Sequence, residues 1–457
     1  MPRRALLALI IALALSAPAP AAALTLRDAA GLHVVSQTQL DSRLIALSVT
    51  TPALSTPANI RILLPSGYAT HPHKRYPVLY LLHGTSGGAS DWTKMGSAEQ
   101  TTAGRPLIVV MPDIAINDDG GGWCANWYNG GRYGKPEWET FHIDELLPWV
   151  DGNLRTIANR KERAIAGLSQ GGFCSMSYPA RHPDLFSIAL AYSGAPDIAY
   201  DSEAQLLVTP IINATEVGLD GVPANSIFGP RSTEEINWAA HDPSTLANNL
   251  RGMDLFMYFG NGKPGPLDSS APNPGAEAIE SGVYQLNVLF HDRLQALHIP
   301  SLYDPYGNGT HSWPYWARDL RWSIGPLMQD FTHPPKTPRR ITYASAEMQY
   351  AVFGWRVTMH RKVLEFSTLG HAGRRGFVLQ GSGSATVTTP ASYRHGKRYK
   401  VKIRWQGGKT ARAVRADRRG RLTIKVPLGP SDTIQEYSID GSTAGTTVYT
   451  ATVKIVP

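Results

Sequence analysis

The sequence has little of several features that mark specialised classes of protein. It contains two cysteines in 457 residues, Cys124 and Cys174, and their spacing fits neither a zinc site nor a thiol-redox motif. After residue 23, no stretch holds the roughly 18 consecutive apolar residues that a membrane-spanning helix needs. There is no internal repeat and no nucleic-acid-binding motif, so we do not expect a nucleic-acid partner. What remains is a chain long enough for two globular domains.

The first 23 residues have the composition of a secretory signal peptide. Arg3 and Arg4 give a charged start, residues 5–15 are apolar, and alanines at 21–23 end the segment with the small residues of a cleavage site. We therefore expect an exported protein, secreted and in part associated with the cell wall. Export permits a disulfide between Cys124 and Cys174, although two buried free thiols fit the sequence equally well.

Residues 163–180 have the pattern of a strand, a sharp turn and a helix, with a serine at the turn. A short apolar run at 164–166 leads into G-L-S-Q-G at 167–171. This pentapeptide pattern also occurs by chance, but a strand before it and a helix after it are typical of the nucleophile elbow of an α/β-hydrolase. The sequence therefore predicts that Ser169 is a nucleophile at a helix N-terminus, where developing negative charge is stabilised.

A serine nucleophile needs a histidine to accept its proton and a carboxylate to orient that histidine. In α/β-hydrolases the chain order is serine, acid, histidine. His311 lies in a glycine-bounded loop after the last predicted strand, which makes it the candidate base. Two acids fit the order: Asp268, in the loop after a buried strand, and Glu280, at the start of a predicted helix over 281–297. Spacing alone favours Asp268 slightly.

Two backbone N–H groups are expected to stabilise the oxyanion of the reaction. One is that of Gln170, directly after the nucleophile. The other is expected from the loop H-G-T-S-G-G at 83–88, which follows a buried strand; Thr85 is the preferred donor because Gly84 permits close approach. The same loop has a second interpretation as a simple tight turn.

Strand and helix patterns divide the chain into two parts. Buried strands alternate with helices up to about residue 331, which predicts an α/β-hydrolase domain over 24–331 with a doubly wound, mostly parallel sheet. A proline-rich linker is predicted at 332–340. Residues 341–457 show roughly seven short alternating strands between glycine-rich turns and no helix, which predicts a β-sandwich.

Charge is distributed unevenly between the two parts. Residues 341–457 hold 19 Lys and Arg against 6 Asp and Glu, while the whole chain has a net charge of +8. This basic region is expected to dock on an anionic surface such as a cell-wall polymer or a membrane. An ordinary solvated basic face is the alternative interpretation.

Six motifs in the first part resemble those of the esterase D family of serine hydrolases, and most of all the antigen 85 mycolyltransferases. They are Y-L-L-H-G at 80–84, N-W-Y at 126–128, W-E-T-F at 138–141, G-L-S at 167–169, G-N-G-K-P at 260–264 and G-T-H-S-W at 309–313. The resemblance implies that Ser169 and His311 are catalytic. The family's acid is a glutamate at the start of the helix after the G-N-G-x-P loop, so the resemblance shifts the preference from Asp268 to Glu280.

The resemblance also implies that the amides of Thr85 and Gln170 form the oxyanion hole, but the match is incomplete. His83 stands where the mycolyltransferases have an aspartate, and Ser86 stands where they have an arginine, which leaves sugar recognition open. The paired cysteines of that family are absent, and the basic region lies outside its pattern.

The sequence thus predicts an exported carboxylic-ester hydrolase that forms an acyl-enzyme on an ester or acyl-lipid substrate, without metal or cofactor. Transfer of the acyl group to a sugar or lipid hydroxyl is one alternative, and a non-catalytic cell-wall-binding protein is another. Trp123, Trp127 and Trp313 are expected to line the acyl or sugar side of the site, although tryptophans more often belong to a core.

Overall fold

The computed structural model describes residues 24–115, 120–129 and 136–456; the predicted signal peptide, residues 1–23, lies outside the described residues. Its largest element is a nine-stranded sheet in the order β1-β2-β3-β5-β4-β6-β7-β8-β9. The strands are β1 (His33–Gln39), β2 (Leu44–Thr50), β3 (Ala58–Leu63), β4 (Val78–Leu82), β5 (Ile108–Pro112), β6 (Arg163–Leu168), β7 (Ile188–Tyr192), β8 (Asp254–Phe259) and β9 (Leu302–Pro305). Pairing is antiparallel from β1 to β5 and parallel from β5 to β9.

Helices cover both faces of this sheet. They are α1 (Asp91–Lys94), α2 (Ala98–Thr101), α3 (Leu147–Asn153), α4 (Gln170–Arg181), α5 (Ser202–Gly218), α6 (Arg231–His241), α7 (Pro274–Ala296) and α8 (Trp313–Thr332). Strand β4 shows why: Val78, Tyr80 and Leu82 pack in one apolar cluster and Leu79 and Leu81 in another, because successive side chains point to opposite faces. The predicted α/β-hydrolase fold is confirmed. Within the described ranges, no helix combines the length and hydropathy needed to cross a bilayer.

Several helices differ from the sequence-based expectation. Helix α7 begins at Pro274 rather than at 281, with Asn273 as its N-cap, and proline is favoured at a first helical position. Glu280 therefore lies about two turns inside the helix and not at its start. Apolar residues at helical spacing predict a helix over 137–154, before β6. In the structure it begins as a π-helical segment, Thr140–Leu146, and continues as α3.

Two antiparallel sheets form the C-terminal part, as the predicted β-sandwich requires. The six-stranded sheet has the order β10-β13-β14-β19-β16-β17 and the four-stranded sheet the order β11-β12-β15-β18. Their strands are β10 (Ile341–Ser345), β11 (Gln349–Val352), β12 (Trp355–His360), β13 (Ser367–Gly373), β14 (Gly376–Gly381), β15 (Ser384–Thr388), β16 (Arg398–Trp405), β17 (Gly408–Arg415), β18 (Thr423–Pro427) and β19 (Tyr449–Val456). Apolar side chains from both sheets share one core. No strand or helix occupies residues 333–340.

The C-terminal sheets pack against the end of helix α4. The Tyr343 hydroxyl donates to the backbone carbonyl of Arg181 at 2.6 Å, and the Phe353 amide donates to Asp184 at 2.9 Å. Asn249 bonds both backbone groups of Ala344, each at 2.9 Å. Since Ser169 is the N-cap of α4, this helix connects the candidate nucleophile to the contact with the C-terminal sheets.

Candidate active site

Ser169 stands at a sharp turn between β6 and α4. Its backbone has φ +52° and ψ −121°, in the left-handed region that a residue with a side chain adopts only under strain. The flanking glycines allow the turn, because a Cβ on Gly167 would collide with the backbone of Gly171, and a Cβ on Gly171 with the carbonyl of His83. The serine is thereby held half-exposed at the N-terminus of α4, as expected from the sequence.

His311 and Glu280 lie in line with this serine. His311 Nε2 is 2.8 Å from Ser169 Oγ, and its Nδ1 is 2.6 Å from Glu280 Oε2. Because the glutamate carboxylate accepts hydrogen bonds, Nδ1 carries the proton, which leaves Nε2 free to accept the proton of the serine hydroxyl. The structure therefore brings the three residues together, although Ser169 and His311 are 142 positions apart in the sequence.

Two further groups fix the carboxylate of Glu280, which is fully buried. Its Oε1 accepts a hydrogen bond from the Ser193 hydroxyl at 2.8 Å and one from the Gly260 amide at 2.7 Å. Neither contact was predicted. Gly260 begins the G-N-G-K-P motif, so the motif itself was a signal, whereas Ser193 follows β7 in an ordinary sequence context.

Asp268 lies near the histidine loop but does not contact His311. It accepts hydrogen bonds from Thr310 Oγ1, from the Tyr315 hydroxyl at 2.8 Å and from the Gly265 amide at 2.8 Å. Partial burial raises the pKa of this carboxyl, but the three hydrogen bonds outweigh it, so the net pKa is lowered. Asp268 thus ties the loop after β8 to the residue preceding His311.

The loop after β4 lies directly against the serine, as the predicted oxyanion hole requires. A Cβ on Gly84 would lie 2.6 Å from Leu168 Cδ1 and 3.2 Å from Ser169 Cβ. The side chains of Thr85 and Gln170 are hydrogen-bonded at 2.7 Å. We orient the Gln170 amide so that its carbonyl accepts from the backbone of Trp123 at 2.7 Å and of Gly122 at 3.1 Å, because this satisfies both ends of the amide.

His83 holds the peptide that joins Gly84 to Thr85. The Ile114 amide donates to His83 Nε2 at 2.9 Å, so the ring proton is on Nδ1, which lies 2.7 Å from the Gly84 carbonyl oxygen. In a trans peptide the carbonyl and the next N–H point in opposite directions. Holding the Gly84 carbonyl at His83 therefore turns the Thr85 N–H away from it. The sequence marked this position only as a departure from a pattern.

A disulfide ties the loop at 120–129 to helix α4, which resolves the question of the two thiols. Cys124 and Cys174 are bonded, with Cα atoms 5.6 Å apart. Trp123 and Trp127 in this loop are only 4% and 6% exposed, and Trp127 Nε1 donates to the Gly122 carbonyl at 3.2 Å. Burial leaves both rings little surface for a substrate, contrary to the expectation, because they pack in the main apolar core.

Trp313, the third predicted tryptophan, is half-buried at the start of α8. It packs edge-on against Trp92 and Trp316, with ring centres 5.3 and 5.4 Å away. Trp316 packs in turn against the His311 ring at 4.9 Å. Part of the Trp313 side chain is therefore exposed to solvent, and only the Trp316 ring lies between it and the candidate base.

A cavity of about 490 Å³ opens beside His311. Its walls are the loop after β8 and the residues on either side of the histidine, Thr310 and Ser312. Many of the lining side chains are polar: Asp268, Ser269, Ser270, Asn273, Glu277, Thr310 and Ser312. Among residues 24–115, 120–129 and 136–456, no three His, Cys, Asp or Glu side chains cluster closely enough to hold a metal ion.

Comparison with known proteins identifies the family. The Esterase family model matches residues 51–323, more than half of the chain and the whole of the site described above. The chain belongs to this esterase family. The matched segment contains the serine, the histidine and both candidate acids, so the resemblance inferred from the six motifs is confirmed.

The curated relatives of this chain include proteins of mycobacteria. Esterase Rv1288 of Mycobacterium tuberculosis is 33% identical over 246 residues, 53% of this chain and 51% of the relative. Diacylglycerol acyltransferase/mycolyltransferase Ag85B of Mycobacterium leprae is 31% identical over 263 residues, 56% of this chain and 76% of the relative. The chain spans about half the length of the first of these relatives.

Among solved structures, MPT51 of Mycobacterium tuberculosis is 24% identical to this chain, with a TM-score of 0.48. The match covers 62% of this chain and 97% of MPT51. FphF of Staphylococcus aureus, a fluorophosphonate-binding serine hydrolase, shares 21% identity, with a TM-score of 0.47 and coverage of 62% and 98%.

Proposed function

We propose that this chain is a serine carboxylic-ester hydrolase with Ser169 as nucleophile, His311 as base and Glu280 as acid. The observation that carries the proposal is the continuous line of hydrogen bonds from Glu280 through His311 to Ser169, 2.6 and 2.8 Å long. A histidine with a proton on Nδ1 and a serine hydroxyl on Nε2 has the geometry that general-base catalysis requires. Membership of the esterase family supports the same reaction class.

In the first half of the reaction, His311 Nε2 takes the hydroxyl proton of Ser169 while Oγ forms a bond to the ester carbonyl carbon. The negative charge moves to the carbonyl oxygen, where the amides of Thr85 and Gln170 and the N-terminus of α4 stabilise it. Glu280 stabilises the imidazolium that forms. The tetrahedral intermediate then releases the alcohol, which takes the proton from His311, and the acyl group stays on Ser169.

In the second half, His311 takes a proton from water, whose oxygen attacks the acyl carbon. The same two amides hold the second oxyanion. Collapse of this intermediate returns the proton to Ser169 Oγ and releases the carboxylic acid. Hydrolysis is the expected outcome because water can reach a half-exposed serine unless an acceptor excludes it.

Acyl transfer to a hydroxyl-bearing acceptor is the second candidate function, and the cavity beside His311 favours it. Most of its lining surface is apolar, but seven of its twelve lining residues are polar, and Asp268, Ser269 and Asn273 offer hydrogen-bond acceptors and donors that suit the hydroxyl groups of a polyol or sugar. An acceptor bound there would lie against Thr310 and Ser312, the neighbours of His311 in the chain. The similarity to Ag85B, a diacylglycerol acyltransferase/mycolyltransferase, points to the same alternative.

Turnover of p-nitrophenyl butyrate, with and without trehalose, tests these functions together. We expect release of p-nitrophenol that Ser169→Ala abolishes and that Ser202→Ala, an exposed-serine control, retains. A fluorophosphonate should label the peptide that contains Ser169 in the parent chain only. Acylated trehalose would mean transfer rather than hydrolysis. The absence of both turnover and labelling would contradict the proposed enzymatic function and favour a non-catalytic binding protein.

We also propose that residues 1–23 direct export and are removed, and that residues 24–331, 332–340 and 341–457 act as catalytic domain, linker and basic β-domain. The net charge of the last segment supports its docking on an anionic surface of the cell exterior. N-terminal sequencing of the protein from culture medium should begin at residue 24. Retention of residues 1–23 would contradict the export proposal.

A further inference from the structure

Seven cations share the outer face of the six-stranded C-terminal sheet. Four of them alternate along β16, two lie on β17 and one lies on β19: Arg398, Lys400, Lys402, Arg404, Lys409, Arg415 and Lys454. All seven are exposed, because the intervening residues of β16, Tyr399, Val401 and Ile403, point into the core. We call this set the cationic face. Neighbouring cations along β16 are about 7 Å apart, since every second residue of a strand points the same way.

Three pairs within the cationic face lie directly opposite each other across strand pairs. Lys402 is in register with Lys454, and Arg404 with Lys409 and Arg398 with Arg415. Like charges in directly opposite positions destabilise a sheet. Three such pairs on one face therefore lower the stability of the sheet, which indicates that the surface serves another function.

Among the residues that the structure describes, no carboxylate pairs with these cations to relieve the repulsion. None of the six strands of the sheet contains Asp or Glu, and within the described ranges none of the seven cations forms a salt bridge with a carboxylate. The six acids of residues 341–457 have other partners: Glu347 with Arg181, Glu365 with Ser382, Asp417 with Arg421, Asp432 with the Thr447 amide, Glu436 with Thr443, and Asp440 with Ser438. The described part of the chain therefore leaves the charge of this face uncompensated.

The remaining side chains of the cationic face indicate which anion fits. Most are small or polar, as shown by Ala411, Ala413, Thr450 and Thr452, and Val456, opposite Lys400, is an exposed apolar exception. On the strands described above, the cationic face has no aromatic side chains on which the bases of single-stranded nucleic acid would stack. It also has, on those strands, no cluster of large apolar residues of the kind that inserts into a bilayer. A groove of about 670 Å³ runs between Lys402, Arg404, Lys409 and Lys454.

We propose that the cationic face binds a linear polymer, other than a nucleic acid, that carries a phosphate group in each repeat. A polymer of this kind, lying along β16, would place its successive negative charges against cations repeated at about 7 Å. Its charges would also offset the repulsion within the three like-charged pairs. The inference sharpens the proposed docking on an anionic surface, but it does not depend on ester hydrolysis. The proposed site for the polymer is the outer face of the six-stranded sheet and not the active-site cavity.

Binding of long-chain inorganic polyphosphate to the full chain tests the proposal. The probe is compared with monomeric phosphate at equal total phosphate, with duplex DNA, and with phosphatidylcholine vesicles that contain phosphatidylserine. The test variant is Lys402→Thr with Lys454→Thr, which removes one opposed pair and introduces a residue already present on that face. The matched control is Arg356→Thr with Lys425→Thr, which removes two exposed cations from the other sheet.

We expect polyphosphate to bind with an affinity that falls with salt, to raise the melting temperature, and to bind about tenfold more weakly to the test variant than to the control. Without polymer at low salt, the test variant should melt at the same temperature as the parent or higher, which a merely misfolded variant would not do. Equal affinity for both variants, equal binding of monomeric phosphate, or tighter binding of DNA or vesicles would overturn the proposal. Ser169→Ala should bind like the parent, so loss of ester turnover and loss of polymer binding are separate results.

Discussion

Replacing Glu280 by glutamine should remove most of the esterase activity while leaving the fold intact. The carboxylate is fully buried and accepts hydrogen bonds from Ser193, Gly260 and His311. A glutamine can present its oxygen to Ser193 and Gly260, but it then presents an NH2 group to His311. Since two donors cannot share one hydrogen bond, His311 must move its proton to Nε2.

The loss can be sized from this tautomer change. With a proton on Nε2, the imidazole cannot accept the proton of Ser169, so only the oxyanion amides and substrate binding remain. The corresponding acid-to-amide change in serine proteases lowers kcat by about 10,000-fold. Here we expect a fall of roughly 1,000- to 10,000-fold, or about 4 to 5.5 kcal/mol of barrier at 1.36 kcal/mol per factor of ten.

Asp268→Asn provides the discriminating comparison. It keeps a carbonyl oxygen for Thr310 or Gly265 and alters no atom in contact with His311, so we expect less than a tenfold loss. Asp292→Asn, an exposed acid on the same helix as Glu280, serves as the control. The assay is kcat and KM for p-nitrophenyl butyrate near neutral pH, with melting temperatures to verify folding. A folded Glu280→Gln variant within tenfold of the parent, or a larger loss in Asp268→Asn, would refute this assignment of the acid.

Three further predictions concern the surroundings of the site. His83→Ala should lower kcat about 10- to 100-fold with little change in KM, because the Gly84–Thr85 peptide loses its anchor; unchanged kcat, judged against exposed His73→Ala, would contradict this. Cys124→Ser with Cys174→Ser should lower the free energy of unfolding in urea by about 2 to 4 kcal/mol, since the bond closes a long loop; an unchanged midpoint would contradict it. Burial beside Asp242 raises the pKa of Asp197 to about 8, so the folded state keeps a proton on this carboxyl that the unfolded state loses. The contribution of Asp197 to stability should therefore fall as pH rises from about 4 to 8, by at most about 1.4 kcal/mol per unit. Melting scans should show a smaller loss of stability over this range in Asp197→Asn than in the parent.

The sequence was most informative where the chemistry restricts the backbone. The elbow of Ser169 was predictable because only glycines fit at 167 and 171, and His311 because a fixed chain order leaves few places for the base. Central strands were predictable because burial on both faces requires continuous apolar runs. These features depend on local sequence and a known order, so they can be inferred without coordinates.

Features decided by tertiary packing were harder to predict. Helix α5 has Ala204, Val208 and Ile212 at helical spacing on its buried side, but Pro210 within it argues against a helix. Spacing alone slightly favoured Asp268 over Glu280, because both follow β8 and Asp268 lies in the loop directly after that strand. Which carboxylate reaches His311 depends on helix α7 beginning at Pro274, and the resemblance, not the residue pattern, selected it.

The nucleophile, the oxyanion loop and the disulfide loop are coupled through one side chain. Gln170 is the proposed donor of an oxyanion amide, and its carboxamide joins Thr85 to the backbone of Gly122 and Trp123. The disulfide between Cys124 and Cys174 fixes this loop to the helix on which Gln170 stands, while His83 holds the other end of the oxyanion loop. The two amides are therefore held by separate anchors, one covalent and one hydrogen-bonded. Because both must point at the same oxygen, damage to either anchor should lower kcat more than it weakens substrate binding.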